Sequence, residues 1–137
     1  MLVDSHCHLD RLDLSPFNGS LDAVLAAAEA QDIGHFLCVS TNLEDYPAML
    51  KIAEAHEQVS ASVGLHPIDQ GVLVPYTDEL VGLSMNPGII AIGDTVVDYF
   101  RSEGDLDWQR DSFRRLIAAA RQSGKPLFIH SREAMDV

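Results

Sequence analysis

Pro87-Gly88-Ile89-Ile90-Ala91-Ile92-Gly93-Asp94-Thr95 decides how the chain is read. A turn-forming Pro-Gly pair delivers four apolar residues in a row, and the run stops at a glycine followed by a carboxylate. A short continuous apolar run fits a parallel strand covered on both faces, because a strand with one wet face alternates apolar and polar residues. The same grammar recurs in both directions. Downstream, Leu127-Phe128-Ile129 stops at His130-Ser131-Arg132-Glu133. Upstream, Ala61-Ser62-Val63-Gly64-Leu65 leads to His66-Pro67, Phe36-Leu37-Cys38-Val39 to Ser40-Thr41-Asn42, and Leu2-Val3 to Asp4-Ser5-His6-Cys7-His8.

The segments between these runs have helical spacing. Ser20 is a plausible N-cap for a helix near 21–31, with Leu21, Val24, Leu25 and Ala28 on one face. Thr41 and Glu44 fit a capping box, with Pro47 early in a helix that runs to about Glu57. A helix is expected near 76–85. Another near 107–122 carries Gln109, Phe113, Leu116, Ile117 and Ala120 on one side and ends at Gly124, ahead of Pro126. The order is β-α four times and then β, with right-handed crossovers. No internal repeat, linker or boundary interrupts it, so residues 1–137 read as one unit.

Composition removes several classes of function. The chain of 137 residues is 47% hydrophobic, enough for a core and too much for a disordered segment. Its net charge is −12, the wrong sign for a generic nucleic-acid coat or a binder of anionic membranes. Residues 1–100 carry 15 acids against 2 bases, whereas residues 101–137 carry 6 against 7, so the first segment suits a cation better than an anion. No apolar run approaches a membrane span, and the N-terminus lacks the basic start of a signal peptide. Two cysteines cannot build a disulfide framework. Cys7 and Cys38 are expected to be reduced, buried thiols in a cytoplasmic protein.

In parallel α/β folds, ligands bind at the carboxyl ends of the strands. Four of the five apolar runs end in histidine or a carboxylate, and only His35 and His56 of the six histidines lie elsewhere. His6 and His8, two apart on an extended segment, point to one side and can share a metal ion. Asp94 and His130 arrive at equivalent heights of other strands, and a cation supplies such buried polar groups with a common partner. Asp94 is placed to bridge two ions or to orient a water, or else it is an N-cap or a loop acid. His66 contacts substrate, lies beside the metal, or is a satisfied loop histidine. Arg132 could hold a phosphate in bidentate fashion, or pair with Glu133 or another nearby acid. The arginines of 110–121 read as a solvated helix face, and Cys7 should face away from its two histidine neighbours.

Taken together, the motifs resemble the TatD family of metal-dependent hydrolases. Val3-Asp4-Ser5-His6-Cys7-His8-Leu9-Asp10 is similar to its opening motif, and Ser62-Val63-Gly64-Leu65-His66-Pro67 to its second. Ala91 to Phe100 resembles the third, and Gln109 to Phe113 with Lys125 to Ala134 the fourth. The resemblance implies an incomplete TIM-type (β/α)8 barrel, here about five parallel strands with four connecting helices, as the N-terminal portion of a deoxyribonuclease, often a 3′-to-5′ exonuclease. It also implies up to two divalent ions (Mg, Mn or Zn). His6 and His8 would ligate one ion, His130 the second, with Asp94 standing where the family has a bridging glutamate. His66 matches an active-site histidine. No catalytic residue is assigned.

Two departures stand out. The family's third motif reads Gly-Glu-Thr-Gly-Leu-Asp-Tyr, whereas here Asp94 shortens the acid by a methylene and Val96-Val97 replace Gly-Leu. A complete barrel also needs eight strands and about 250 residues. The expectations are weak metal binding and little nuclease turnover from this chain alone, with DNA as the candidate substrate. Two open strand edges should drive self-association or pairing with a missing C-terminal half. A catalytically degenerate scaffold is the alternative. A different metallohydrolase of the amidohydrolase kind also opens with His-x-His, but the order of the later motifs argues against it.

Overall fold

The computed structural model describes residues 1–64, 77–98 and 107–132, with the backbone alone at 94–98 and 132. Five strands alternate with four helices: β1 (Leu2–Cys7), α1 (Leu21–Glu29), β2 (Ile33–Cys38), α2 (Tyr46–Ala55), β3 (Val59–Val63), α3 (Thr77–Ser84), β4 (Ile89–Asp98), α4 (Asp107–Ser123) and β5 (Leu127–Arg132). The strands form one sheet in the order β1-β2-β3-β4-β5, and every neighbouring pair is parallel. This is the parallel β-α order that the alternating runs predict and the half-barrel that the TatD resemblance implies.

The helices start and stop for local reasons. Ser20, extended at φ −104°, accepts the Ala23 amide through its hydroxyl at 3.2 Å and caps α1. Gly124, at φ +69°, ends α4 in the left-handed region that a side chain resists. The capping box expected at Thr41 does not form. α2 begins at Tyr46, four residues beyond the expected box's Asn42, with Pro47 in its first turn. The Asn42 side chain instead accepts the Asp45 amide at 2.8 Å, and Thr41 takes a hydrogen bond from Arg11 at 2.5 Å. A tertiary partner has claimed the hydroxyl that a cap would use.

All four helices pack on one face of the sheet. Leu25 of α1, Met49 and Ala53 of α2, Leu80 of α3 and Leu116, Ala119 and Ala120 of α4 share one core cluster with Phe36, Cys38, Val59, Ala61, Val63, Ile89 and Ile92 of the strands. Strand residues of the opposite parity face the other way. Among them, His35 and Ser60 hydrogen bond to each other at 2.8 Å. The sheet curls round that second face. The rings of His6 on β1 and Phe128 on β5 lie 4.9 Å apart, although a flat sheet would hold its first and fifth strands about 19 Å apart.

Polar residues expected just beyond the strands lie within them. β1 runs through His6, β4 through Gly93-Asp94-Thr95 and β5 through His130. Both β1 and β4 do so with one extra residue. Three steps from Asp4 to Cys7 match two from Phe36 to Cys38, and three from Ile92 to Thr95 match two from Leu127 to Ile129. Such bulges bend a strand and re-aim its side chains.

Candidate metal centre

β1 carries the first two candidates. The Asp4 carboxylate accepts the His6 amide at 3.1 Å, a local turn-type bond that supports the extra residue. The ladder then closes again, with the Val39 amide donating to the Cys7 carbonyl at 2.8 Å. Cys7 packs against the helix-side core and donates its thiol to the Leu37 carbonyl at 3.4 Å, so it faces away from the histidines, as expected. Burial, then the neighbouring Cys38, Asp4 and Asp10, push its thiol up to about 12, and burial pushes Cys38 up to about 11. Both thiols are free and neutral, and neither behaves as a ready ligand.

His6 and His8 end up together. Their rings are edge to face with centroids 5.4 Å apart. His8 leaves the strand at φ −126°, ψ +72° and places Nδ1 2.9 Å from the Val39 carbonyl. A carbonyl only accepts, so Nδ1 must carry a proton there, and in the neutral ring Nε2 holds the lone pair. A backbone carbonyl fixing the tautomer in this way is the usual support behind a metal-ligating histidine. The pair therefore fits a divalent cation in donor type and proximity, and His8 in tautomer as well.

The other candidates approach from β4 and β5. Gly93, at φ +125°, makes the bulge that precedes Asp94, and only glycine takes that conformation without strain. The register sets Gly93-Asp94 opposite Phe128, the residue whose ring His6 meets. His130 pairs with Val96, two residues beyond Phe128 on the same face, and its Nε2 is shielded from solvent. The backbones of Asp94 and His130 thus reach the rim that carries His6 and His8. Among the described residues, no three His, Cys, Asp or Glu side chains gather closely enough to hold an ion together. His66 and the side chains of Asp94 and Arg132 lie outside the described residues.

The remaining histidines are accounted for by structural partners. His35 meets Ser60, and His56 donates to Asp22 at 2.7 Å and to the Ile52 carbonyl at 3.0 Å. Arginines of α4 pair within their own helix, Arg110 with Asp107 at 2.7 Å and Arg115 with Asp111 at 3.1 Å. Sequence reasoning missed two residues at the rim. Arg11 sits three residues after His8, donates its amide to the His8 carbonyl at 3.0 Å and ion-pairs with Asp45, tying the rim to the start of α2. Ser62, wholly buried, links the end of β2 to the bulge of β4. The alternation Val59-Ser60-Ala61-Ser62-Val63 was the available signal for Ser62. For Arg11 it was that Arg11 and Lys51 are the two cations within residues 1–100.

Comparison with known proteins bears on the fold and the family. The family model described as TatD related DNase matches residues 3–137. The uncharacterized metal-dependent hydrolase YcfH of Escherichia coli K12 is 37% identical over 97% of this chain and 50% of its own length. A protein of Enterobacter lignolyticus named 3′-5′ ssDNA/RNA exonuclease TatD is 30% identical over 82% of this chain and 44% of its own. The crystal structure of YJJV, a TatD homolog from Escherichia coli K12, superposes with a TM-score of 0.78 at 25% identity, over 98% of this chain and 52% of that one. The chain spans about half the length of the relatives it matches.

Proposed function

The chain belongs to the TatD family of DNase-related proteins, and from that premise we propose that it forms the N-terminal part of a metal-dependent hydrolase that cleaves phosphodiesters, as a 3′-to-5′ exonuclease on DNA. The observation that carries this reading is the His6–His8 pair, with the His8 tautomer set by the Val39 carbonyl. His6, His8, Asp94 and His130 are the proposed ligands, and His66 and Arg132 the proposed substrate contacts. Divalent ions bound there (Mg, Mn or Zn) would supply an activated water and positive charge for the phosphate. The role of this chain's residues is to hold and aim. The Val39 carbonyl fixes the His8 imidazole, the Asp4 carboxylate holds the His6 backbone amide, and the Arg11–Asp45–Thr41 contacts hold the turn behind them. With ions in place, an acidic chain can still receive a polyanion.

The ring of ligands closes only when the barrel does. Among the described residues β1 and β5 each have one strand neighbour, and Leu2, Val3 and Ile129 on them are 62%, 55% and 55% exposed. Further strands of a TatD-type C-terminal half are the proposed cover, with pairing of two copies of this chain as the competing occupant. Light scattering on a size-exclusion column separates a monomer that captures a C-terminal half from a self-associated chain. A cytoplasmic location is part of the proposal and rests on the two reduced thiols.

The second reading, a catalytically degenerate scaffold, draws on Asp94 and Val96-Val97 in the third motif. An assay on 3′-ended single-stranded DNA with manganese or magnesium, run with metal analysis on the protein as its gene encodes it, decides between them. Metal-dependent shortening from the 3′ end supports the hydrolase. Metal bound with no cleavage supports the scaffold. Metal retained equally after His6→Ala and His8→Ala overturns the site proposed above.

A further inference from the structure

The one-residue bulge in β4 raises a backbone problem whose solution involves a residue with no assigned role. The extra residue of a bulge drops out of the strand ladder, so its backbone groups need other partners. In β4 the bulge comprises Gly93 and Asp94. Ser62 of β3 meets the need. Its hydroxyl donates to the Gly93 carbonyl and accepts the Ser40 amide at 3.1 Å, from just beyond β2. The single proton and a lone pair are thereby both committed, and the hydroxyl cannot turn without breaking a bond. Ser62 and Ser40 are 0% and 1% exposed, so no bulk water replaces either partner.

The Gly93 carbonyl belongs to the peptide plane that also contains the Asp94 nitrogen. Fixing that oxygen fixes the plane from which the Asp94 Cα departs. A second contact bears on the same plane. The backbones of Gly64 and Gly93 touch so closely that a Cβ at Gly64 would lie 2.6 Å from the Gly93 Cα and carbonyl carbon. Gly93 itself is held at φ +125°. The hydroxyl and the glycine contact together brace the bulge from the β3 side.

We propose that Ser62 is a positioning residue, whose hydroxyl orients the Gly93–Asp94 peptide so that Asp94 can reach the metal. This rests on the reading of Asp94 as a ligand. Ser62 touches neither metal nor substrate and acts only through the peptide.

The test titrates Co²⁺ into the protein as its gene encodes it and into Ser62→Ala, Ser62→Thr and Asp94→Asn. Affinity and the visible d–d spectrum are recorded, together with hydrogen exchange of the Asp94 amide without metal. Ser62→Ala is expected to weaken Co²⁺ binding about 10- to 100-fold, the usual effect of losing a partner behind a ligand. It should also change the Co²⁺ spectrum and speed exchange at Asp94. Ser62→Thr, which keeps the hydroxyl, should restore all three. If Ser62→Ala does not fold, Ser62→Cys keeps the volume without the strong donor and should behave as predicted for alanine. Unchanged affinity and spectrum in Ser62→Ala or Ser62→Cys, while Asp94→Asn loses affinity, overturn the proposal. Asp94→Asn binding as well as the unaltered protein overturns the ligand reading beneath it.

Discussion

The two faces of β3 are built from one stretch of five residues and have opposite character. Val59, Ala61 and Val63 point into the helices and are at most 4% exposed. Ser60 and Ser62, between them, point into the curl and spend their hydroxyls on His35, Ser40 and Gly93. The helix side shows the close apolar packing of a stable core. The inner side of this strand is polar and leads up to the Gly93 bulge. Fold and chemistry are therefore divided by residue parity, and substitutions on the two faces should have separable consequences.

The largest effect should appear in thiol chemistry on the helix side. Because burial pushes Cys7 up to about 12 and Cys38 up to about 11, the thiolate fractions at pH 8 are small. Labelling of the native chain should be slower than labelling in urea by about 100- to 1000-fold. Rapid native labelling would show that the sealed face opens. Next comes the core itself. Met49→Ala removes a side chain of 0% exposure and should cost about 3 kcal/mol by urea denaturation. Ser60→Ala on the inner face should cost about 1 kcal/mol, a hydrogen bond's worth. Equal losses would break the division.

His8→Ala tests the opposite claim. Divalent-ion affinity measured by calorimetry should fall about 100-fold, while the urea midpoint shifts by the equivalent of about 1 kcal/mol, the Val39 hydrogen bond. A variant that loses stability and keeps affinity would move His8 from the site to the scaffold.

The smallest effect sharpens the account of the outer layer. Asp22 of α1 faces His56, and the Ile52 carbonyl at the end of α2 faces its other ring nitrogen, so both nitrogens point at acceptors, which favours the protonated ring. The hydrogen bond to Asp22, then that to Ile52, raises its pKa above the ordinary histidine value. A raised folded value means the contribution is complete below about pH 6.5, where the unfolded ring is also protonated, and is lost as pH rises through the folded value. The amplitude should be about 0.5 kcal/mol, since Asp22 is largely exposed. Melting curves between pH 5 and 9 should show this decline, and His56→Gln should remove it.

Much of the fold was legible because each apolar run and each helix stripe is local. Pro87-Gly88 ahead of Ile89, Ser20 ahead of Leu21 and Gly124 after Ser123 all act where the sequence places them. Thr41 was not legible as a rim contact, because Arg11 reaches it from thirty residues away and outcompetes the cap. The strand ends were read too short because bulges let β1 and β4 continue through polar residues, and a bulge depends on register with a neighbouring strand. In the candidate site, the pairing of His6 with His8 was visible as an i, i+2 spacing. The lock on His8 was not, since its partner is a backbone carbonyl, which carries no sequence signature. Ser62 was hidden for a similar reason. It serves a peptide group, and its alternation with valine and alanine reads equally well as an ordinary strand.

The central claim is that the concave rim, through His6 and His8, holds a divalent cation. Anomalous diffraction from crystals of the protein grown with Mn²⁺ or Zn²⁺ tests it directly. A peak about 2.0–2.2 Å from the Nε2 atoms of both histidines, with Nδ1 of His8 still on the Val39 carbonyl, is the predicted result. Bound metal whose peak lies away from both rings would contradict it.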